Sequence, residues 1–292
     1  MTQGVQSQDR NPSADTTEHN AYFPSPHSLS QYTTATTDFD GLATDRNAYD
    51  GGRWKVLVVA SEQRYLLMNN GTLFSTGNHP VETFLPLHHI LEAGFDVEVA
   101  TLTGAPVKLE WWAFPDQDDT VQETWQKVEP KFKAPKRLST VVHNELGEDS
   151  DYLAVFIPGG HGAMHGLAES TDVQAVLDWV LAGERLIITL CHGPAALLAA
   201  SIGRELSPFA GYGLCAFPDA ADADPNVDIG YLPGPMPWLL GSALRDQGMV
   251  LKNADDMTGA TYHDRNLLSG DSPLAANELG KMAASALVEV VS

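Results

Sequence analysis

Cysteine is scarce in this chain, which has only Cys191 and Cys215 in 292 residues. Two thiols cannot form the several cross-links of a disulfide-stabilised scaffold. Their low number suits a reducing compartment, where free thiols persist. We therefore expect a cytoplasmic location.

Basic side chains are also few, with 17 Lys and Arg against 38 Asp and Glu, for a formal net charge of −21. A surface that binds phosphates needs clustered Lys and Arg to replace released counterions, and the sequence has no such cluster. The charge pattern therefore argues against nucleic acid and anionic membranes as partners.

Long hydrophobic runs are missing as well. The longest, Val56–Ala60 and Ala195–Ala200, fall far short of the roughly 20 residues that cross a bilayer. The first twenty residues are polar and do not resemble a secretory signal. With 43% hydrophobic and 19% charged residues, the composition is that of a globular protein. Its length indicates two domains or one large α/β unit.

Residues 1–50 are rich in Ser, Thr, Asp, Asn and Gln and show neither helical nor strand periodicity. This composition predicts an N-terminal arm rather than a domain. Aromatic residues at 22, 23, 32 and 39 could pin the arm to a folded body, and an unstructured tail is the alternative.

From Trp54 onward the pattern alternates between short β-branched runs and amphipathic stretches. Strands are expected at 54–60, 95–102, 152–157, 185–190, 212–217, 249–253 and 267–269, with helices at 81–93, from 172 to about 182, 195–201, 238–247 and 273–290. Parallel strands need crossover helices, so this order predicts a doubly wound α/β core, mostly parallel, over residues 51–292. Residues 103–150 interrupt the alternation and are expected to form a small inserted subdomain or lid.

Cys191 is the strongest candidate for a catalytic residue. It leaves a buried strand and enters a helix through Gly193 and Pro194, the strand-turn-helix context of a nucleophile elbow. In open α/β sheets the ligand site lies at the carboxyl ends of the strands. The positive end of the helix is expected to favour the reactive thiolate. The alternative is a small buried core residue, and this is our interpretation of Cys215.

Gly159 and Gly160 follow the strand at 152–157 and precede His161. Glycines at such a bend let backbone N–H groups approach a bound oxyanion closely. Beside Cys191, they predict an oxyanion hole.

Three further side chains are candidates for proton transfer. His192 follows the nucleophile directly, and its ring reaches the sulfur only if the turn bends suitably. Asp219 follows a predicted strand and could orient the imidazole, with an ordinary turn aspartate as the alternative. Glu82 lies at the start of a helix, where it could complement the helix dipole or, if buried beside the thiol, shuttle a proton. The four aspartates at 219, 222, 224 and 228 predict a solvated loop.

Four separated motifs resemble the DJ-1/PfpI superfamily. They are Phe-Ser-Thr-Gly-Asn-His-Pro-Val-Glu at 74–82, Ile-Pro-Gly-Gly-His-Gly at 157–162, Ile-Thr-Leu-Cys-His-Gly-Pro-Ala at 188–195 and Cys-Ala-Phe-Pro-Asp-Ala-Ala-Asp at 215–222. The long arm and the insert resemble the Hsp31-type (HchA-like) branch. The resemblance runs from about Tyr22 to near the C-terminus.

The resemblance implies a flavodoxin-like core, a homodimer and glutathione-independent glyoxalase activity of the D-lactate dehydratase type. Such an enzyme converts a small 2-oxoaldehyde such as methylglyoxal into the 2-hydroxy acid without a cofactor. Motif by motif, Cys191 matches the nucleophile, Glu82 the acid beside it, and His192 with Asp219 the rest of a triad.

The branch also implies three alternatives. They are a holdase chaperone that binds unfolded client proteins, protein deglycation, and a cysteine peptidase. Some members of the branch bind zinc through two histidines and a carboxylate. Here Leu91 and Val128 stand at the histidine positions and Asp96 is the only candidate ligand left, so we expect no such metal site.

Overall fold

The computed structural model describes residues 8–43 and 45–292. Its strands are β1 Ser13–Ala14, β2 Ala21–Phe23, β3 Lys55–Val59, β4 Tyr65–Leu67, β5 Leu73–Ser75, β6 Asp96–Thr101, β7 Lys136–Arg137, β8 Tyr152–Ile157, β9 Leu186–Leu190, β10 Gly213–Leu214, β11 Val250–Leu251, β12 Thr261–Asp264 and β13 Leu267–Gly270. Its α-helices are α1 Pro26–Tyr32, α2 Pro80–Glu92, α3 Asp119–Lys133, α4 Leu138–Asn144, α5 Thr171–Ala182, α6 Asp219–Asp222, α7 Pro225–Asp228, α8 Leu240–Asp246 and α9 Ala276–Val291. Its 3₁₀ helices are Trp111–Ala113, His161–Met164, Gly193–Ser201 and Pro273–Ala275.

The main sheet of the described residues has the strand order β12-β13-β9-β8-β3-β6-β7. All neighbours are parallel except β12 and β13. Strands β8 and β9 are buried along their whole length, because helices cover both faces of such a sheet. The five inner parallel strands follow the flavodoxin-like order, whose strand order reverses between β3 and β8. The predicted doubly wound α/β fold is confirmed.

Helix α2 illustrates how the sequence sets an element that carries a site residue. Pro80 opens it and Gly94 follows its C-cap with φ +105°, as the predicted left-handed end requires. A β-carbon on Gly94 would lie 2.0 Å from the carbonyl oxygen of Tyr49. The helix therefore ends where glycine alone fits, and it packs along α9.

Some predicted elements are shorter or of another type. The strand expected at 212–217 is only Gly213–Leu214, because the side chains of Ser269 and Asn253 take the N–H groups of the next two residues, 215 and 216. The helix after Cys191 is a 3₁₀ helix. The helix predicted at 273–290 is a 3₁₀ turn followed by α9.

The insert at 103–150 packs onto the core. Strand β7 extends the main sheet beside β6, and α3 packs on α2. Val121, Val128 and Phe132 of α3 join the main hydrophobic core. This segment is thus continuous with the sheet edge, and its assignment as a subdomain or lid stays a prediction.

The described part of the arm is folded against the body. Strand β2 pairs with β5 in a second sheet, ordered β1-β2-β5-β4. Of the four arm aromatics, Tyr32 lies edge-on to Tyr231 at 5.5 Å and Phe39 packs against His88 at 4.9 Å. In the described residues, the arm is therefore packed against the body, as the first interpretation predicted, and is not an unstructured tail. No helix in the described ranges has both the length and the apolar character needed to span a bilayer.

Candidate active site

Cys191 stands at the carboxyl end of β9 with φ +56°, a strained conformation for a residue other than glycine. Its N–H donates to the carbonyl of Gly270 at 2.9 Å, which fixes the turn against β13. The bend turns the side chain into a cavity of about 180 Å³. Cys191 is 4% exposed. The geometry is that of a nucleophile elbow.

His192 lies beside the sulfur because the backbone bends at Cys191. Its Nδ1 is 3.2 Å from Sγ, and its Nε2 is 2.7 Å from Oδ2 of Asp222. Burial, followed by the neighbouring His161, lowers the pKa of His192 to about 4, so the ring is neutral at physiological pH. Because Asp222 accepts at Nε2, that nitrogen carries the proton and Nδ1 is free to take one from the thiol.

Asp222 is the partner of His192, and Asp219 is not. This overturns the triad assignment of Asp219. The solvated loop predicted for 219–228 is wrong at Asp222, which is buried, whereas Asp224 and Asp228 are exposed. Asp219 accepts hydrogen bonds from the N–H of Gly241 at 2.6 Å and from Ser242 Oγ at 2.8 Å. Its carboxylate therefore holds the start of α8. The turn of α6 carries Asp222, three residues later, into the buried side.

Asp222 also holds His161, whose Nε2 lies 3.1 Å from Oδ1. Burial raises the pKa of Asp222, but the two imidazoles outweigh it and lower the pKa overall. Burial lowers the pKa of His161, but Asp222 and then Glu110 outweigh it and raise the pKa. The two imidazoles share one carboxylate with ring centres 3.9 Å apart, and the opposite directions of their pKa shifts favour the proton on His161 over His192.

Glu82 lies fully buried on the first turn of α2, against the same sulfur. A β-carbon placed on Gly159 would be 2.0 Å from Oε2 of Glu82 and 2.7 Å from Cβ of Cys191. Neither carboxyl oxygen has a hydrogen-bond partner of standard geometry. Burial raises the pKa of Glu82 well above its usual range. The group is therefore a neutral acid that can both give and accept a proton.

Burial opposes ionisation of the thiol, because it raises the pKa of Cys191 well above its usual value. This direction is opposite to the effect expected of the helix end, so a resting thiolate at Cys191 stays a prediction. The thiol needs a base when substrate arrives, and Nδ1 of His192 is the base at hand.

The glycine pair after β8 has the expected place beside the sulfur. Gly160 has φ +96°, and its N–H is directed at both Glu82 and Cys191, where it favours the ionised form of each. The N–H of Cys191 is already bonded to Gly270 and cannot serve in an oxyanion hole. Gly159 supplies the free space in which Glu82 approaches Cys191.

Besides Asp222, several polar residues of the site were not predicted. Glu110 and Tyr231 line the cavity, as do Asn226 and His161. Glu110 accepts from Thr76 Oγ1 at 2.6 Å, and burial raises its pKa to about 6. No periodicity or spacing marks these residues, although His161 lies within the Ile-Pro-Gly-Gly-His-Gly motif at 157–162. The arm also contributes Gln31, Tyr32 and Thr34 to the wall.

Two places can be tested for metal binding. At the first, Leu91 and Val128 offer no ligand atom, and Asp96 is paired with Lys131 at 2.7 Å, so these residues do not fit a zinc ion. At the second, His161, His192 and Asp222 bring ligand atoms within 4.8 Å of one another. Hydrogen bonds between these same atoms account for that cluster.

The fold and the site together define a class of cysteine-dependent α/β proteins. The defining features are a buried cysteine on a nucleophile elbow, a Cys-His-Asp array and an adjacent glutamic acid. Residues 72–209 match the description "DJ-1/PfpI family". The chain is 57% identical, over 100% of its length and 99% of the relative's, to the "Protein/nucleic acid deglycase HchA" of Staphylococcus aureus strain Newman. The chain belongs to the DJ-1/PfpI family, and the resemblance to its Hsp31-type branch is confirmed.

Solved structures share the fold at lower identity. A glyoxalase III from Candida albicans is 19% identical with a TM-score of 0.62, covering 80% of this chain and 97% of that one. The Rapid Encystment Protein 24 KDa of Francisella tularensis is 19% identical with a TM-score of 0.66, covering 80% and 99%. The name of the staphylococcal relative includes nucleic acid, so the expectation that nucleic acid is excluded as a partner is not supported. Dimer formation and cytoplasmic location stay predictions.

Proposed function

We propose that this protein converts a small 2-oxoaldehyde, such as methylglyoxal, into the corresponding 2-hydroxy acid without glutathione. The observation that carries the proposal is the contact of one buried thiol with two proton-transfer groups of different kinds. His192 Nδ1 is 3.2 Å from the sulfur, and the neutral carboxyl of Glu82 lies on its other side.

The first step is addition of sulfur to the aldehyde carbon. As the S–C1 bond forms, the thiol proton passes to Nδ1 of His192. The imidazolium then gives this proton to the aldehyde oxygen, which yields the neutral hemithioacetal and returns His192 to its neutral form. The imidazolium that forms is stabilised by Asp222. The N–H of Gly160 faces the developing oxyanion.

The second step moves hydrogen between the two carbons. Glu82 gives its proton to the ketone oxygen and takes the proton from C1, which forms an enediol. It then protonates C2 and takes the hydroxyl proton from the C1 oxygen, leaving a thioester. Glu82 ends each exchange in its starting state, and water then hydrolyses the thioester to the 2-hydroxy acid and the free thiol.

The test is a kinetic comparison of wild type with Glu82→Gln, run on methylglyoxal without glutathione and followed by NMR. The amide of the variant preserves the size of the side chain but cannot exchange protons with the substrate. We expect the variant to retain the thiol while lactate formation falls by about 10²-fold or more. Unchanged lactate formation would refute the role of Glu82.

Deglycation is a second candidate, because a relative 57% identical over the full length has that name. Its chemistry would use the same thiol on a carbonyl adduct of a larger molecule. The cavity has a volume of about 180 Å³, and arm residues form part of its wall, which favours a small substrate. A glycated peptide in place of methylglyoxal, with buffers free of released oxoaldehyde, distinguishes the two. The chaperone and peptidase alternatives stay untested.

A further inference from the structure

Among the described residues that line the cavity, His79, Glu82 and Asn226 each have a buried polar atom without a hydrogen-bond partner, and the amide oxygen of Asn226 is the one outside the proton-transfer groups and the histidines. Asn226 is 1% exposed and lines the cavity with Cys191. Its Nδ2 donates to Oδ1 of Asp222 at 3.0 Å, whereas its Oδ1 has no hydrogen-bond partner. Since Asp222 is ionised and can only accept, the amide orientation is fixed and Oδ1 is the orphan.

This oxygen is held rigidly. The backbone carbonyl of Asn226 accepts the N–H groups of Tyr231 and Leu232 at 2.8 and 3.0 Å. Asp222 connects the side chain to His192 on the other side. The orphan oxygen therefore keeps its place relative to the nucleophile, which suits a group that selects a substrate.

A buried carbonyl without a donor is unfavourable, and a ligand that brings an O–H removes the penalty. The cavity, at about 180 Å³, is far larger than the space one water needs. Methylglyoxal has only a methyl group at the end away from its aldehyde. A hydroxyl at that end would supply the missing donor.

The cavity also disfavours negative charge. Among the described residues that line it, none is Lys or Arg, while Glu82 and Glu110 are acids. His161 is a lining residue that can carry positive charge, but Asp222 already pairs with it. A carboxylate or phosphate on the substrate would therefore have no free cation to pair with. The fitting substrate is therefore uncharged.

We propose that Asn226 is a specificity-determining residue whose Oδ1 accepts a substrate hydroxyl, so that the site prefers uncharged 2-oxoaldehydes with a hydroxyl beyond the ketone. This inference rests on the proposed function. Such compounds arise from oxidation or dehydration of sugars, which places the enzyme after reactions of that class.

The experiment measures kcat/KM for methylglyoxal, 3-hydroxy-2-oxopropanal and 3-methoxy-2-oxopropanal in wild type and Asn226→Leu. We expect wild type to prefer the hydroxy compound to its methyl ether, which keeps the oxygen but has no donor. In the variant, the preference for the hydroxy compound over methylglyoxal falls about tenfold, the amount of one well-placed hydrogen bond.

The ratio of kcat/KM for the hydroxy compound to that for methylglyoxal separates the effect of Oδ1 from other effects of the substitution. Loss of the Asn226 contact to Asp222 slows all three substrates alike, because they share the same chemistry. Asn144→Leu, at an exposed asparagine on α4, is the matched control and leaves the ratio unchanged. The methyl ether comparison needs only wild type, so it stands even if Asn226→Leu misfolds.

Two results would overturn this inference and leave the proposed function standing. One is an equal kcat/KM for the hydroxy compound and its methyl ether in wild type. The other is an unchanged kcat/KM ratio of the hydroxy compound to methylglyoxal in a folded Asn226→Leu. Such results would mean that Oδ1 of Asn226 does not take part in selecting the substrate. If wild type turns over none of the three compounds, the proposed function falls and this inference falls with it.

Discussion

Asp222 Oδ2 and His192 Nε2 lie 2.7 Å apart in a fully buried hydrogen bond. This contact fixes the tautomer of His192 and leaves Nδ1 facing the sulfur of Cys191. The acid that supports the imidazole is thus set by a short helix, α6, rather than by the end of a strand.

Replacing Asp222 by Asn should therefore lower kcat by about 10³-fold or more, since an amide can donate to Nε2 and reverse the tautomer. Asp219→Asn is the matched control three residues away. It should weaken only the start of α8, with a loss of roughly 1 kcal/mol in unfolding free energy and little change in kcat. The measurements are steady-state kinetics and denaturant unfolding of both variants. Equal kinetic losses would restore Asp219 to the site.

Gly159→Ala tests the close approach of Glu82 to the nucleophile. The added methyl group would overlap Oε2 of Glu82, Cβ of Cys191 and the carbonyl oxygen of Leu190. We expect loss of activity by at least 10²-fold, because a shift of about 1 Å at a reacting group has that effect. Gly147→Ala, where a β-carbon meets nothing within 4 Å, is the control and should keep wild-type kinetics. An active Gly159→Ala would show that Glu82 need not lie at this place.

Much of the fold and part of the site could be predicted from the sequence. Continuous apolar runs in the sequence indicate buried strands such as β8 and β9. The position of Cys191 between such a run and a Gly-Pro pair indicates a nucleophile at a turn. Asp222 could not be found in this way. The helical phase of α6 decides which aspartate of the acidic run is buried, and the composition of the run does not give that phase. Likewise, the raised pKa of the Cys191 thiol follows from its burial, which only the tertiary packing reveals.

Glu110 makes stability depend on pH in a defined direction. Burial raises its pKa from 4.5 to about 6, so the folded protein binds this proton more tightly than the unfolded chain does. Folded stability from this group is therefore greatest below pH 4.5 and falls as pH rises through 6, by about 2 kcal/mol in all. Glu110→Gln removes the ionisation. Relative to wild type, the variant should gain about that amount between pH 4.5 and pH 7.5 in denaturant titrations. A pH-independent difference would place the pKa of Glu110 at its ordinary value.

Solvent isotope incorporation tests the proton shuttle assigned to Glu82. If the proton that Glu82 takes from C1 exchanges with solvent before Glu82 protonates C2, lactate formed in D₂O carries deuterium at C2, and we expect at least partial deuteration. Direct transfer of hydride from C1 to C2 would instead retain the original hydrogen. The products are distinguished by proton NMR of the C2 position. Deuterium at C2 would exclude hydride transfer, whereas complete retention of protium would contradict a shuttle in which the proton on Glu82 exchanges with solvent.

The account depends most on the sulfur of Cys191 as the reacting atom. The direct test is lactate formation from methylglyoxal, without glutathione, by wild type, Cys191→Ser and Cys215→Ser. Cys215 is the matched control, a buried thiol outside the cavity. We expect lactate from wild type and from Cys215→Ser and a loss of at least 10³-fold in Cys191→Ser. Full lactate production by Cys191→Ser would contradict the account.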